Sequence, residues 1–178
     1  MTNEIIQTVL SMLMTGMEQE TVIEPGTYKA WNERLRKELE ECELICFHAG
    51  LRTGKVTDIR VNPGLKYAWG RCITNRIEGT HEIEINKVLM SGSVPDLSLK
   101  KTIIHELCHT VRDGHGHEKG WLDAADRLKQ VYGLQLSSEN SPEDLSVTEH
   151  LEQPPAGFVI GCIVCGTDGE SISNFPQV

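Results

Sequence analysis

Apolar and polar positions alternate along the chain with two periods, and the changes of period mark its elements. Ile5, Ile6, Val9, Leu10, Leu13 and Met17 recur at helical spacing and predict a helix over residues 2–18. Its methionine-rich stripe suits core packing better than a partner groove. Glu24-Pro25-Gly26 breaks that pattern. A second helix is expected from Tyr28 to Phe47, with Tyr28, Trp31, Leu35, Leu39, Cys42 and Cys46 on one stripe and charges opposite. Gly50 and Gly54 end it. Lys55 to Val61 and Lys66 to Thr74 read as strands separated by the turn Asn62-Pro63-Gly64. His81 to Asn86 alternates as a half-buried strand does, and Asn75 to Thr80 joins it to the strand before as a hairpin. A further helix carries Ile103, Ile104, Leu107, Cys108 and Val111, with Asp96 or Ser98 as N-cap and Gly114 as its stop. The last helix places Trp121, Ala124, Ala125, Leu128, Val131 and Tyr132 on one face and ends near Gly133. Helix, three strands and two helices predict an α+β domain, a small three-stranded sheet packed on helices.

From Ser137 the periodicity stops. Residues 137–157 are rich in Ser, Glu, Asn and Pro and read as an acidic linker. All 17 Lys and Arg of the chain lie before residue 137, with 19 of its 26 acids, so the net charge of −9 belongs mostly to the tail. The domain before it is no evident nucleic-acid binder by charge. Six cysteines without an extracellular signature are not a disulfide framework. The N-terminus has no Lys or Arg before Lys29, and no apolar run approaches the roughly 18 residues of a membrane span, so a cytoplasmic setting without membrane contact is expected. The 178 residues divide into a domain over 1–136, whose residues 1–24 are a helical extension, the linker 137–157, and a terminal segment 158–178.

The chemistry lies in Ile103-Ile104-His105-Glu106-Leu107-Cys108-His109-Thr110. His105 and His109 are four apart, so a helix stacks them one turn from each other, with Cβ atoms about 5–6 Å apart. Two imidazoles so placed reach one Zn²⁺ at about 2.0–2.1 Å. Glu106 points about 100° round the helix from His105, at the flank of such a site, where it can take a proton from an attacking water. Three fixed positions in five residues arise by chance on many helices. The apolar residues within the motif and the histidines after it favour the metal reading. A catalytic zinc needs a third protein ligand and an open fourth position. His115 and His117 follow in the glycine-punctuated turn Asp113-Gly114-His115-Gly116-His117. His117 is favoured because it adjoins the helix that Trp121 opens, and His115 reads as a solvated loop residue or one that supports a ligand without touching the metal. His48, His81 and His150 lack partners at ligand spacing and are expected at the surface. Cys42, Cys46, Cys72 and Cys108 are expected as buried, inert thiols.

His105-Glu106-Leu107-Cys108-His109-Thr110, then His117-Glu118-Lys119-Gly120-Trp121 and a helix ending Val131-Tyr132-Gly133-Leu134, resembles the SprT-like metallopeptidase domain, the group that includes Spartan proteases. The resemblance covers residues 25–136 and continues more weakly to 166. That family's third ligand typically reads His-Gly-x-x-aromatic, whereas Gly120 stands one residue before the aromatic in this chain. The resemblance implies a zincin-like fold around a HExxH helix and one catalytic zinc. It also implies a sheet edge that takes the substrate as an added strand, and protein substrates that include those attached or crosslinked to DNA. Phe158 to Gly166 resembles half of the zinc ribbon that such proteins often carry, with Cys162 and Cys165 as ligands to a second zinc. One pair supplies only two thiolates, so the chain is truncated, the ribbon has degenerated, or other ligands come from elsewhere.

The expected activity is zinc-dependent hydrolysis of peptide bonds, with His105, His109 and His117 on the metal and Glu106 as general base. The alternatives are a zinc-stabilised DNA- or protein-binding module with a vestigial site, and an interaction protein working through its tail and first helix. A purely structural zinc has no use for Glu106, which favours the enzyme.

Overall fold

A stripe of side chains too apolar for water fixes the first helix. In the computed structural model, which describes residues 25–92 and 94–138, helix α1 runs Pro25–His48. Leu35, Cys42 and Cys46 on it are fully buried. Tyr28 and Trp31 meet edge to face, ring centroids 5.4 Å apart, the arrangement aromatic quadrupoles favour. Gly50 takes a φ of +81°, and the amides of Gly50 and Leu51 donate back to the carbonyls of Phe47 and Cys46. That pair of bonds is a Schellman closure, which satisfies carbonyls the helix would otherwise leave open. The helix expected over residues 2–18, His150, the linker beyond Ser138, and Cys162 with Cys165 lie outside the described residues. No helix among the described residues is long and apolar enough to cross a membrane.

Strands β1 (Lys55–Asn62), β2 (Gly70–Asn75) and β3 (Thr80–Asn86) form one sheet in the order β1-β3-β2. The expected hairpin is present, with β2 antiparallel to β3, and Asn75 Oδ1 accepts the amides of Ile77 and Glu78 in its turn. β1 pairs with β3 as well, in parallel. The second strand begins at Gly70 rather than Lys66. Asn86 Nδ2 donates to the carbonyls of Leu65 and Ala68, at 2.8 and 3.1 Å, and holds that stretch as a loop. One face of the sheet presents Ile59, Val61, Cys72, Ile83 and Ile85, all buried against the helices.

The other face is charged. Glu84 lies between β1 and β2 and receives Arg60 Nη2 at 2.8 Å, Asn62 Nδ2 at 2.8 Å and the Arg71 guanidinium. Burial works to raise the Glu84 carboxyl, but the hydrogen bonds from Asn62 and Arg71 outweigh it and hold the group below its ordinary range. A carboxyl depressed on folding stabilises above its unfolded pKa, and that contribution disappears as pH falls through the folded value. Glu84→Gln is therefore expected to lose about 2–3 kcal/mol at pH 7. The difference from wild type should close below about pH 4, as denaturant titrations at several pH values would show.

A 3₁₀ turn at Lys87–Met90 leads towards helices α2 (Asp96–Cys108) and α3 (Lys119–Tyr132). The α2 N-cap is Pro95, so neither Asp96 nor Ser98 caps it; Asp96 sits in the first turn and pairs with Arg34 of α1 at 2.6 Å. Farther along, Lys100 of α2 meets Glu41 of α1, also at 2.6 Å, so the two helices run side by side in the same direction. α3 ends at Gly133, φ +67°, as expected. Its buried face is narrower than the periodicity suggested: Trp121, Ala124 and Leu128 are inside, whereas Val131 and Tyr132 are 41% and 49% exposed. Arg127 Nε donates to Ala49 O at 2.8 Å and ties α3 to the end of α1.

Candidate metal centre

From Thr102 on, helix α2 is enclosed by its neighbours, so polar residues there are buried with the apolar ones. His105 is 2% exposed, Glu106 fully buried and His109 5% exposed. The helix stops at Cys108, well short of Gly114, and His109 is its C-cap, its amide donating to the carbonyls of Glu106 and Leu107. Thr110 then turns the chain, its hydroxyl donating to Leu107 O at 2.7 Å and accepting the amide of Gly54.

The returning loop brings His117 back over the helix. Ring centroids of His105, His109 and His117 stand 5.0–5.1 Å apart in all three pairs. His105 Nε2 lies 3.3 Å from His109 Nε2 and 3.1 Å from His117 Nε2. The edge of a tetrahedron whose ligands lie at the zinc–imidazole distance is about 3.3 Å. Three Nε2 lone pairs converging at that spacing suit one cation, and the ligand atoms of the three residues all lie within 4.8 Å of one another. The His109 tautomer is fixed, because Gly114 O can only accept and stands 3.0 Å from Nδ1. Nδ1 carries the proton, and Nε2 keeps its lone pair for a metal.

Trp121 packs against this cluster, its ring 4.4 Å from His117 and 4.9 Å from His105, and its indole N–H donates to His105 O at 3.3 Å. His117 itself lies just before α3, two residues ahead of Lys119. His115, exposed, is outside the triad. His48 is exposed as expected, but His81 is not: it is only 7% exposed, with Nδ1 3.1 Å from Thr74 Oγ1. Its place opposite Thr74 in the hairpin turns it inward. Burial, and then the neighbouring His115, lower its pKa. Cys42, Cys46, Cys72 and Cys108 are buried as expected. Burial pushes the Cys46 thiol up to about 12, and Cys42 and Cys108 upward for the same reason.

Two glycines shape the loop. Gly114 packs under the helix end, where a Cβ would come 2.4 Å from Cys108 O. Gly120 donates its amide to Asp113 O at 3.0 Å, and a Cβ there would lie 2.3 Å from that oxygen and 2.4 Å from Arg112 O. Close backbone contact at the start of α3 thus needs glycine one residue before Trp121. Gly120→Ala is expected to displace the His117 segment and weaken metal binding about 10–100-fold, the usual effect of losing support behind a ligand. Competition with a fluorescent chelator would measure it.

Three converging imidazoles with a buried glutamate beside them, on helices backing a small sheet, define an α+β domain able to hold a metal ion. The SprT-like family model matches residues 35–141, and the chain belongs to the SprT-like family. No curated protein and no solved structure matches it.

Proposed function

We propose that this chain is a zinc-dependent endopeptidase. The observation that carries the reading is the convergence of three Nε2 atoms, together with the burial of Glu106 next to His105 in the chain, a carboxylate that a merely structural metal would not require. His105, His109 and His117 hold the ion. Zinc bound there supplies a Lewis acid that polarises the scissile carbonyl and lowers the pKa of water. Glu106 accepts the proton of the attacking water on its carboxylate and returns it to the leaving amine nitrogen. Trp121 walls the histidine cluster and, through its bond to His105 O, fixes the helix turn that carries the first ligand.

Strand β2, an edge of the sheet, supplies a seat for substrate. The amide of Asn86 donates to Trp69 O, which sets the alternation of the antiparallel pair. Trp69, Arg71 and Ile73 then direct main-chain groups to β3, and Gly70, Cys72 and Thr74 direct theirs away from it. An extended peptide added along that edge is read mainly through its backbone. Unfolded protein segments are the substrates this favours, and proteins attached to DNA are the class within them that family resemblance suggests. The catalytic unit is residues 1–136, in a reducing cytoplasm, with 137–157 as linker and 158–178 as a partial ribbon.

The test is direct. The purified chain should cleave unfolded casein, lose that activity to a chelator and regain it with zinc, and adding DNA to the assay reports any nucleic-acid dependence. One zinc per chain assigns the metal to the triad alone, and two would bring in Cys162 and Cys165. A chain that holds zinc yet cleaves no unfolded protein rules the reading out.

A further inference from the structure

The glycine that opens β2 stands where the Glu106 carboxylate has its room. A Cβ on Gly70 would lie 2.6 Å from Glu106 Oε1, 3.0 Å from Glu106 Cγ and 2.8 Å from Thr102 Cγ2. The backbone at Gly70 has no positive φ, so other residues could adopt its conformation, and the need is for space. Neither main chain can withdraw to make that space. Gly70 is in register with Ile85 of the central strand, and the bond from the Asn86 amide to Trp69 O, at 2.8 Å, secures the residue before it. On the helix side, Ile103 and Leu107 are fully buried in the core. A methyl group at position 70 would therefore be met by the two side chains, and the glutamate is the one with chemistry to lose.

We infer that Gly70 is a positioning residue: its missing side chain sets where the Glu106 carboxylate stands. The inference rests on Glu106 as the proton acceptor and adds what holds it in place. It also explains a glycine at the buried first position of a strand, where glycine otherwise weakens the element. The atoms nearest the added Cβ belong to Glu106 and Thr102, so the effect belongs to the placing of the base and not to the seating of the peptide main chain.

The experiment compares wild type with Gly70→Ala, alone and combined with Thr102→Ser or Glu106→Asp, in the full chain. Zinc affinity in chelator competition should stay within about threefold of wild type, because no ligand is touched. Turnover of an unstructured peptide should fall about 10²-fold, the usual result of misplacing a reacting group by roughly an ångström, with KM nearly unchanged. A peptide hydroxamate, which needs the metal and the carboxylate together, should bind correspondingly more weakly, giving a readout that does not depend on turnover. Thr102→Ser removes the other colliding methyl and keeps the hydroxyl that donates to Ser98 O, so it should not restore activity. On the Glu106→Asp background, where the carboxylate is withdrawn by one methylene, Gly70→Ala should cost less than about threefold, a non-additivity expected of groups in contact. Wild-type turnover in Gly70→Ala, rescue by Thr102→Ser, or an equal loss on both backgrounds would overturn the inference. If Gly70→Ala does not fold, recovery of folding by Glu106→Asp supports it, and no recovery overturns it. A wild-type chain without activity, or Glu106→Gln at full activity, would instead bring down the protease reading itself.

Discussion

Glu106→Gln should leave the metal in place and remove nearly all turnover. The amide keeps the volume of the carboxylate and all three imidazoles remain, so zinc content should match wild type. What is lost is a group that accepts a proton during attack and passes it on, and such a role is typically worth about 10²–10⁴-fold. The loss should appear in kcat, since the substituted residue is buried and its proposed partner is the attacking water, not the peptide main chain. Thermal stability should hold or rise, because a buried carboxylate is costly in a low-dielectric interior and its amide is less so. Casein cleavage at the wild-type rate by a zinc-loaded Glu106→Gln protein would remove Glu106 from the mechanism.

The second large effect concerns the third imidazole. His117→Ala removes one of three converging nitrogens, and with it the enclosure of the ion by the loop as well as the helix. Metal binding should fall by orders of magnitude, activity should vanish, and the thermal stabilisation that zinc gives the wild-type chain should shrink with the affinity. His115→Ala is the matched control, two residues away in the same loop and exposed; it should keep the metal. Stoichiometric zinc in the first variant and zinc loss in the second would reverse the assignment. Both proteins should fold, since α1, α2 and the sheet bury a core that involves neither histidine.

Where information was local, the sequence could be read. The stripe from Tyr28 to Cys46, the alternation from His81 to Asn86, and the stop at Gly133 each depend on residues within a turn or a strand of one another, and the corresponding elements are present. The meeting of His105 with His109 was legible because five consecutive residues fix their relation. His117 needed the added clue of Trp121. The parallel pairing of β1 with β3 left no mark on either strand, because both bury the same kind of face whatever their direction. Lys66 to Trp69 alternates plausibly enough for a strand, but Asn86, far along the chain, captures its carbonyls. His81 has the look of a surface residue by its polarity and is turned inward by its cross-strand position. The glycines at 70, 114 and 120 act through backbone and side-chain atoms from other segments, so only the fold shows what they make room for.

The strand order has a consequence for how the chain comes to be folded. Because the last strand lies in the middle, β1 and β2 have no partner in the sheet until β3 has been made. A chain emerging from the ribosome holds two unpaired strands through the synthesis of everything up to residue 86, and the motif helix comes later still. Pairing of β1 with β3 must also close a loop of some two dozen residues before any ladder bond forms, an entropic cost that slows the search. The ion pairs between α1 and α2 and the bond from Arg127 to Ala49 close still longer loops. No early fragment can therefore assemble the histidine cluster, and the site comes into being only when the whole domain does.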